Sequence, residues 1–156
     1  MLLISHRGNL DGPNPAKENR QEYIDIALNL HYPVEVDLWV EGKVAYLGHD
    51  GPQYRVHPIW LRERVGELWI HCKNKEALAY VTRDPSLGFH YFYHNKDTYT
   101  LTSRGYVWCY PGAEAAGYRA VAVVPEKVWT LEQIAQLRNF YAICSDYVSN
   151  LDETIE

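Results

Sequence analysis

The sequence predicts an α/β fold built on a mainly parallel sheet. Three observations lead there. Short apolar runs of strand length alternate with helix-patterned segments from one end of the chain to the other. Of the 156 residues, 47% are hydrophobic, enough for a sizeable core. Polar and titratable residues gather where the apolar runs end, and in parallel α/β folds that is where sites form.

In chain order, residues 2–5 (LLIS) predict a first strand, and the Gly-, Pro- and Asn-rich stretch after it predicts a loop. Residues 18–30 carry Tyr23, Ile24, Ala27, Leu28 and Leu30 at helical spacing. Residues 33–40 (PVEVDLWV) read as a strand, "EGK" as a turn, and 44–48 as a short hairpin partner. One helical turn is expected over 61–66, a strand over 67–73, and a helix over 74–84 with Asn74 as N-cap. Strands follow at 89–94, 106–110 and 119–126, with a turn near 99–105. Residues 130–139 predict a helix opened by Thr130, with Gln133 placed to complete a capping box, and 141–148 predict the last strand. This gives six or seven core strands besides the hairpin. A full eight-stranded barrel with all its helices takes ~250 residues. At 156 residues, either a barrel has lost helices or the sheet is open.

The length fits one domain, residues 1–156. A net charge of −5 argues against a nucleic-acid partner, which requires Lys and Arg facing phosphates, but leaves room for a local basic spot. No apolar run approaches the ~20 residues of a membrane span, and the opening apolar stretch lacks a basic region before it, so no secretory signal is expected. Cys72, Cys109 and Cys144 are odd in number and fit no zinc spacing, which suggests reduced thiols and a cytoplasmic protein.

Side chains alternate faces along a strand, so Glu35 and Asp37 share one face of the second strand, and His71 and Lys73 share one face of the third. Two neighbouring carboxylates repel each other, and a divalent cation relieves that repulsion; solvated surface acids would show the same spacing. His6 and His49 each stand where a strand runs out, each followed by a charged residue, and a pair of histidines suits proton transfer in both directions. Arg7 and Lys73 could hold a phosphate or pair with the acids. His94, Asp97, Glu126 and Asp146 also follow apolar runs, as mouth-lining residues or as caps and ion-pair partners; Trp108 and Tyr110 suit an aromatic wall or the core. His31, His57 and His90 read as surface or loop residues.

Taken together, "SHRG", "KENR", "VEVDLWVEGKVAYLGHD" and "LWIHCK" resemble the N-terminal half of the glycerophosphodiester phosphodiesterase family, over residues 2–73, and "ICSDY" resembles its last strand. The middle of the chain is similar to a compact offshoot of that superfamily. The resemblance implies a compact (β/α) TIM-type barrel with several helices shortened or missing, and metal-dependent cleavage of a small phosphodiester. It implies that His6 and His49 are the catalytic histidines, that Arg7 and Lys73 bind phosphate, and that Glu35 and Asp37 are metal ligands. Glu18, of the family's glutamate–asparagine pair, is a further candidate ligand.

Two departures qualify that expectation. The family's third metal ligand is a glutamate, and its slot here holds His71. A site of two carboxylates suits Mg²⁺ or Ca²⁺, and the neutral imidazole admits Mn²⁺ or Zn²⁺. The segment between Asp50 and Glu67 is too short for the capping insertion that often shapes the family's substrate pocket. An alternative is therefore a catalytically silent metal- or phosphoester-binding module of the same fold. The substrate and the oligomeric state are not legible in the sequence.

Overall fold

The computed structural model describes residues 1–155. Its strands are β1 (Leu2–His6), β2 (Val34–Glu41), β3 (Val44–Leu47), β4 (Tyr54–Val56), β5 (Leu68–Cys72), β6 (Tyr91–Tyr93), β7 (Tyr99–Leu101), β8 (Val107–Cys109), β9 (Ala120–Val123) and β10 (Ala142–Ser145). The helices are α1 (Gln21–Asn29), α2 (Pro58–Glu63), α3 (Lys75–Thr82), α4 (Leu131–Ile134) and α5 (Val148–Ile155).

Seven strands run parallel in the order β6-β5-β2-β1-β10-β9-β8. β7 lies antiparallel on β8 at one end. β3 and β4 form an antiparallel hairpin extension on the upper part of β2, where Leu38 opposes Leu47. The sheet curls until its ends meet: Ser103 N donates to Tyr91 O at 2.8 Å, and Tyr91 N donates to Ser103 Oγ at 3.0 Å. The result is an incomplete TIM-type barrel: no strand ladder joins β6 to β7, and isolated hydrogen bonds such as these bridge the two ends of the curled sheet.

Side-chain alternation sorts the core into an inside and an outside. Ile4, Trp69, Phe92, Trp108, Val121, Val123, Ala142 and Cys144 pack together inside the barrel. Its three large rings carry much of the filling, with Trp108 centred 5.7 Å from Trp69 and 4.7 Å from Phe92. Outside, Val34, Val36, Leu38 and Ile70 meet Ile24 and Ala27 of α1 and Ala77 and Val81 of α3. Leu3 and Ile143 meet Ile134 of α4 and Val148 and Leu151 of α5. No α-helix lies between β6 and β9, so Tyr93, Tyr99 and Leu101 are left exposed on the outer wall. Omitting those helices is how so short a chain completes the circuit.

Several expected elements differ in extent. The helix expected from residue 18 starts at Gln21, because Asn19 sits in the left-handed region (φ 63°), which breaks a helix. The helix expected over 130–139 is only α4, although the Thr130–Gln133 capping box forms. The expected strand 141–148 ends at Ser145, and the chain then forms α5, which has no counterpart among the expected elements. β4 and β7 were not expected, and the single turn expected over 61–66 begins earlier, as α2, capped by His57. Asn74 caps α3 as expected, accepting from Ala77 N at 2.9 Å.

His90 is not a surface residue. It is buried, with Nε2 2.8 Å from Thr102 Oγ1 and its ring 4.0 Å from that of Trp69. Burial, followed by the charges of Arg104 and Arg119, lowers its pKa to about 3. An unfolded chain protonates this histidine near pH 6.5 and the fold does not, so its contribution to stability is present above about 6.5 and is lost progressively as pH falls toward about 3. Urea titrations at pH 7.0 and 5.5 should show a loss of about 1.4 kcal/mol from this source, one pH unit below the ordinary value. His90→Gln should lack that part of the slope; an identical slope in both proteins would show that His90 is readily protonated in the fold. Among the described residues, no helix is long and apolar enough to cross a membrane.

Candidate metal and phosphoester site

The site is built at the C-terminal ends of β1 and β5 and on the first half of β2, which runs on past them into the hairpin with β3. Glu35, Asp37, His71 and His6 point inward because they fall on the inner parity of their strands, with His6 opposite Glu35 and Asp37 opposite His71 in the registers. Beyond β1 the chain turns sharply: Arg7 has φ 58° and Gly8 φ 91°. A Cβ on Gly8 would stand 2.9 Å from Tyr23 Cδ1 and 3.3 Å from Ile24 N, so glycine is what lets this turn pack on α1. Arg7 N donates to Glu35 O at 2.9 Å, and Asn19 N donates to Arg7 O at 3.1 Å. Arg7 and Asn19 are thus both left-handed non-glycine residues, locked to each other and to β2, and strain of this kind gathers at functional sites. On the opposite rim, Gly48 (φ 156°) lets the loop carrying His49 fold tightly, since a Cβ there would lie 2.2 Å from Gly51 O.

Asp37 is the hub. It is fully buried. Asn19 grips it twice, donating Nδ2 to Oδ2 and accepting from the Asp37 N, both at 2.9 Å. Arg7 Nε lies 2.9 Å from Oδ2, His71 Nδ1 3.2 Å from Oδ1, and His49 Nδ1 and Lys73 Nζ each 3.7 Å away. Burial alone would raise its pKa. The proximity of His49 and His71 and the Arg7 charge outweigh burial and hold the carboxyl well below the usual range. Glu35 shifts the other way: burial, then repulsion from Asp37, raise its pKa against the pull of His6, Arg7 and His71.

Glu35, Asp37 and His71 each offer a ligand atom within 4.8 Å of the others. Glu35 Oε2 and Asp37 Oδ1 are buried without a hydrogen-bond partner. Two buried acids side by side, with one oxygen of each unsatisfied and a ring nitrogen beside them, fit a divalent cation. The His71 ring is set by stacking on Phe92, 4.9 Å away and 14° from parallel. Glu18 stands apart from this trio. Its carboxylate receives Arg7 at 3.3 Å and Asn9 Nδ2 at 2.9 Å, holding Arg7 across the mouth.

His6 and His49 differ in their surroundings. His6 is held by Asp146, Nδ1 to Oδ1 at 2.7 Å, which leaves Nε2 on the cavity side, 3.8 Å from Glu35 Oε2. Burial would lower its pKa, and Asp146 and the Glu35 charge more than reverse that. Asp146 is itself depressed: burial is outweighed by its bonds from His6 and Asn9. Asn9 Nδ2 reaches it at 2.8 Å, and Asp146 N donates to Glu126 Oε1 at 2.7 Å. His49 is about half exposed, and its neighbour Asp50, 3.5 Å away, is almost wholly in solvent.

These side chains open on one cavity of about 570 Å³, lined by His6, Arg7, Glu18, Glu35, His49, His71 and Lys73 and, across from them, by His94, Trp108, Tyr110, Val124, Lys127 and Asp146. The predicted site residues other than the buried Asp37 therefore all line this one cavity, and Asp37 lies against Arg7, His49, His71 and Lys73. Of the other strand-end residues, Asp146 and His94 line the cavity, Glu126 anchors Asp146, and Asp97 is exposed and lines no part of it. Sequence reasoning missed Asn9 and Lys127. A polar residue within a loop and a lysine in a turn carry no periodicity that would single them out.

Neither a family model nor a curated protein matches the sequence. Among solved structures, the chain is similar to a glycerophosphodiester phosphodiesterase from Agrobacterium tumefaciens str. C58, at 14% identity and a TM-score of 0.60, covering 99% of each chain. Over nearly its whole length, this chain has a glycerophosphodiester phosphodiesterase-like fold.

Proposed function

We propose that the protein is a metal-dependent phosphodiesterase that cleaves a small, glycerophosphodiester-like substrate by two-histidine acid–base catalysis. The observation that carries this reading is the convergence of Glu35, Asp37 and His71 within 4.8 Å beneath a cavity that also receives His6, His49, Arg7 and Lys73. A divalent cation held by the trio would polarise a non-bridging phosphate oxygen and offset the charge gathered in the transition state. Mg²⁺ and Ca²⁺ suit the carboxylates, and His71 admits Mn²⁺ or Zn²⁺. Arg7 is braced by Glu18 and Asp37 and lines the cavity, where with Lys73 it supports the phosphate. One of His6 and His49 takes a proton from the nucleophile, either water or a neighbouring hydroxyl of the substrate, and the other delivers one to the departing alkoxide, a poor leaving group without it. Asp146 keeps the His6 ring oriented so that Nε2 serves the cavity. We take residues 1–156 as one domain. The three buried, unpaired cysteines favour a reducing compartment such as the cytoplasm.

A second reading is a silent metal- or phosphoester-binding module. The half-exposed His49, with no buried partner beyond Asp37, favours it. A chromogenic phosphodiester incubated with Mg²⁺, Ca²⁺, Mn²⁺ or Zn²⁺, with and without chelator, separates the two. Chelator-sensitive turnover is the expected result. Metal binding in calorimetry without turnover would establish the module, and the absence of both would overturn each reading.

A further inference from the structure

One wall of the cavity has no role in the chemistry above. It is built from Tyr110 and Pro111 after β8, and from Val124 and Lys127 after β9. Lys127 belongs to the 3-10 turn Pro125–Lys127, which is launched from Val124 with φ 42° and ψ 50°. A β-branched residue is a genuine outlier in that region, and the fold maintains it with a Val124 N to Cys144 O bond of 2.7 Å. The same turn delivers Glu126 to the Asp146 backbone. The turn is therefore tied directly to the His6 side of the site.

The cavity's cations are not equivalent. Arg7 and Lys73 are both paired with Asp37, at 2.9 and 3.7 Å, and Arg7 with Glu18 as well. Lys127 makes no ion pair among the described residues; it lines the cavity as an exposed side chain, and the nearby carboxylates are engaged elsewhere, Glu126 with the Asp146 backbone and Asp146 with His6 and Asn9. A volume of about 570 Å³ exceeds what a phosphate and one small alcohol need, so a second ester arm has room along Tyr110 and Val124.

We propose that Lys127 is a specificity-determining residue for a phosphodiester one of whose ester arms carries its own anionic group, a carboxylate or a phosphomonoester, with that arm lying along Tyr110 and its charge meeting the Lys127 ammonium. This rests on the phosphodiesterase reading of the site and adds the chemical class of the substrate to it. A neutral or cationic arm would leave Lys127 unpaired over the cavity. An anionic arm would satisfy it without competing for the cations already held by Asp37.

A matched pair of probes tests this: 4-nitrophenyl 3-carboxypropyl phosphate and 4-nitrophenyl butyl phosphate, of nearly equal length and with the same chromogenic leaving group. The quantity read is the ratio of kcat/KM for the carboxylate ester to that for the butyl ester. The native protein should favour the carboxylate ester. Lys127→Ala should lower the ratio about fivefold, Lys127→Arg should largely restore it, and Lys127→Glu should invert the preference. A ratio that stays constant while both rates fall would assign Lys127 to the scissile phosphate and overturn the inference; a ratio and rates that do not move would overturn it equally. If the metal-loaded native protein turns over neither ester, the phosphodiesterase reading fails by itself. The same ratio is then taken from calorimetric affinities of the two esters, where equal affinities in the native protein and in Lys127→Ala would refute the anionic-arm subsite.

Discussion

Asp37→Ala should lose about 3–5 kcal/mol of stability and all stabilisation by metal. The size follows from what the carboxylate holds. It is fully buried and is the single point on which Arg7, Lys73, His49, His71 and Asn19 converge. Its removal leaves two cations facing each other around a cavity, and it frees the Asn19 side chain that locks the left-handed turns together. Breaking a buried pair from one side costs far more than the pair contributes when intact, because the remaining charge has lost its counter-ion. A domain of this size has a total stability of about 5–15 kcal/mol, so the variant should fold but melt early. The second half of the prediction keeps the first interpretable. At a metal concentration one hundred times Kd, the native protein should gain about 2.7 kcal/mol, and Asp37→Ala should gain nothing. Urea denaturation with saturating Mn²⁺ and with chelator measures both. A variant of native stability that still responds to metal would mean that Asp37 is neither the electrostatic hub nor a ligand.

The parts of this site that were legible in the sequence were legible for a simple reason. Residue parity on a strand is a local property, so Glu35 with Asp37 and His71 with Lys73 could be assigned to shared faces before any fold was known. Helix caps are local too, and both Asn74 and the Thr130–Gln133 box form as their spacing predicts. What escaped depends on the third dimension. Asn9 is an ordinary loop asparagine until β10 brings Asp146 beside it, 137 positions along the chain. Asp146 looks no different in the sequence from the other strand-end residues His94, Asp97 and Glu126; only the parallel pairing of β1 with β10, with Ser5 opposite Ser145, puts it on His6. α5 escaped because Tyr147 and Val148 resume the apolar character of β10 just past Ser145 and Asp146, so that the start of the helix reads as the end of the strand. The left-handed Asn19 explains why the expected helix began too early: its polar side chain tolerates that conformation, and the sequence alone does not show that Asp37 calls for it.

His6→Ala and His49→Ala should each lower kcat on a phosphodiester by about 10²–10⁴-fold, and the two should differ in every other respect. His49 lies half in solvent on a loop, so its removal should change stability by less than about 0.5 kcal/mol, and the loss of rate can be read directly as chemistry. His6 is buried against Asp146, and its removal leaves that carboxylate with Asn9 as its side-chain donor, so a stability loss should accompany the loss of rate. Asp146→Asn separates the two effects. It retains an acceptor for Nδ1 but removes the charge that holds the His6 pKa up, so the pH–rate profile should shift toward acid while the fold persists. If the histidines act as a pair on one ester, the double variant should be scarcely slower than either single one, since each alone already forfeits the concerted proton transfer. Rates that fall additively would instead indicate two independent modest roles, and retained turnover in both single variants would remove histidine catalysis from the site. The contrast between a buried, carboxylate-held imidazole and a half-exposed, loop-borne one makes His49→Ala the cleaner test of histidine catalysis, because its outcome does not depend on whether the barrel survives the change.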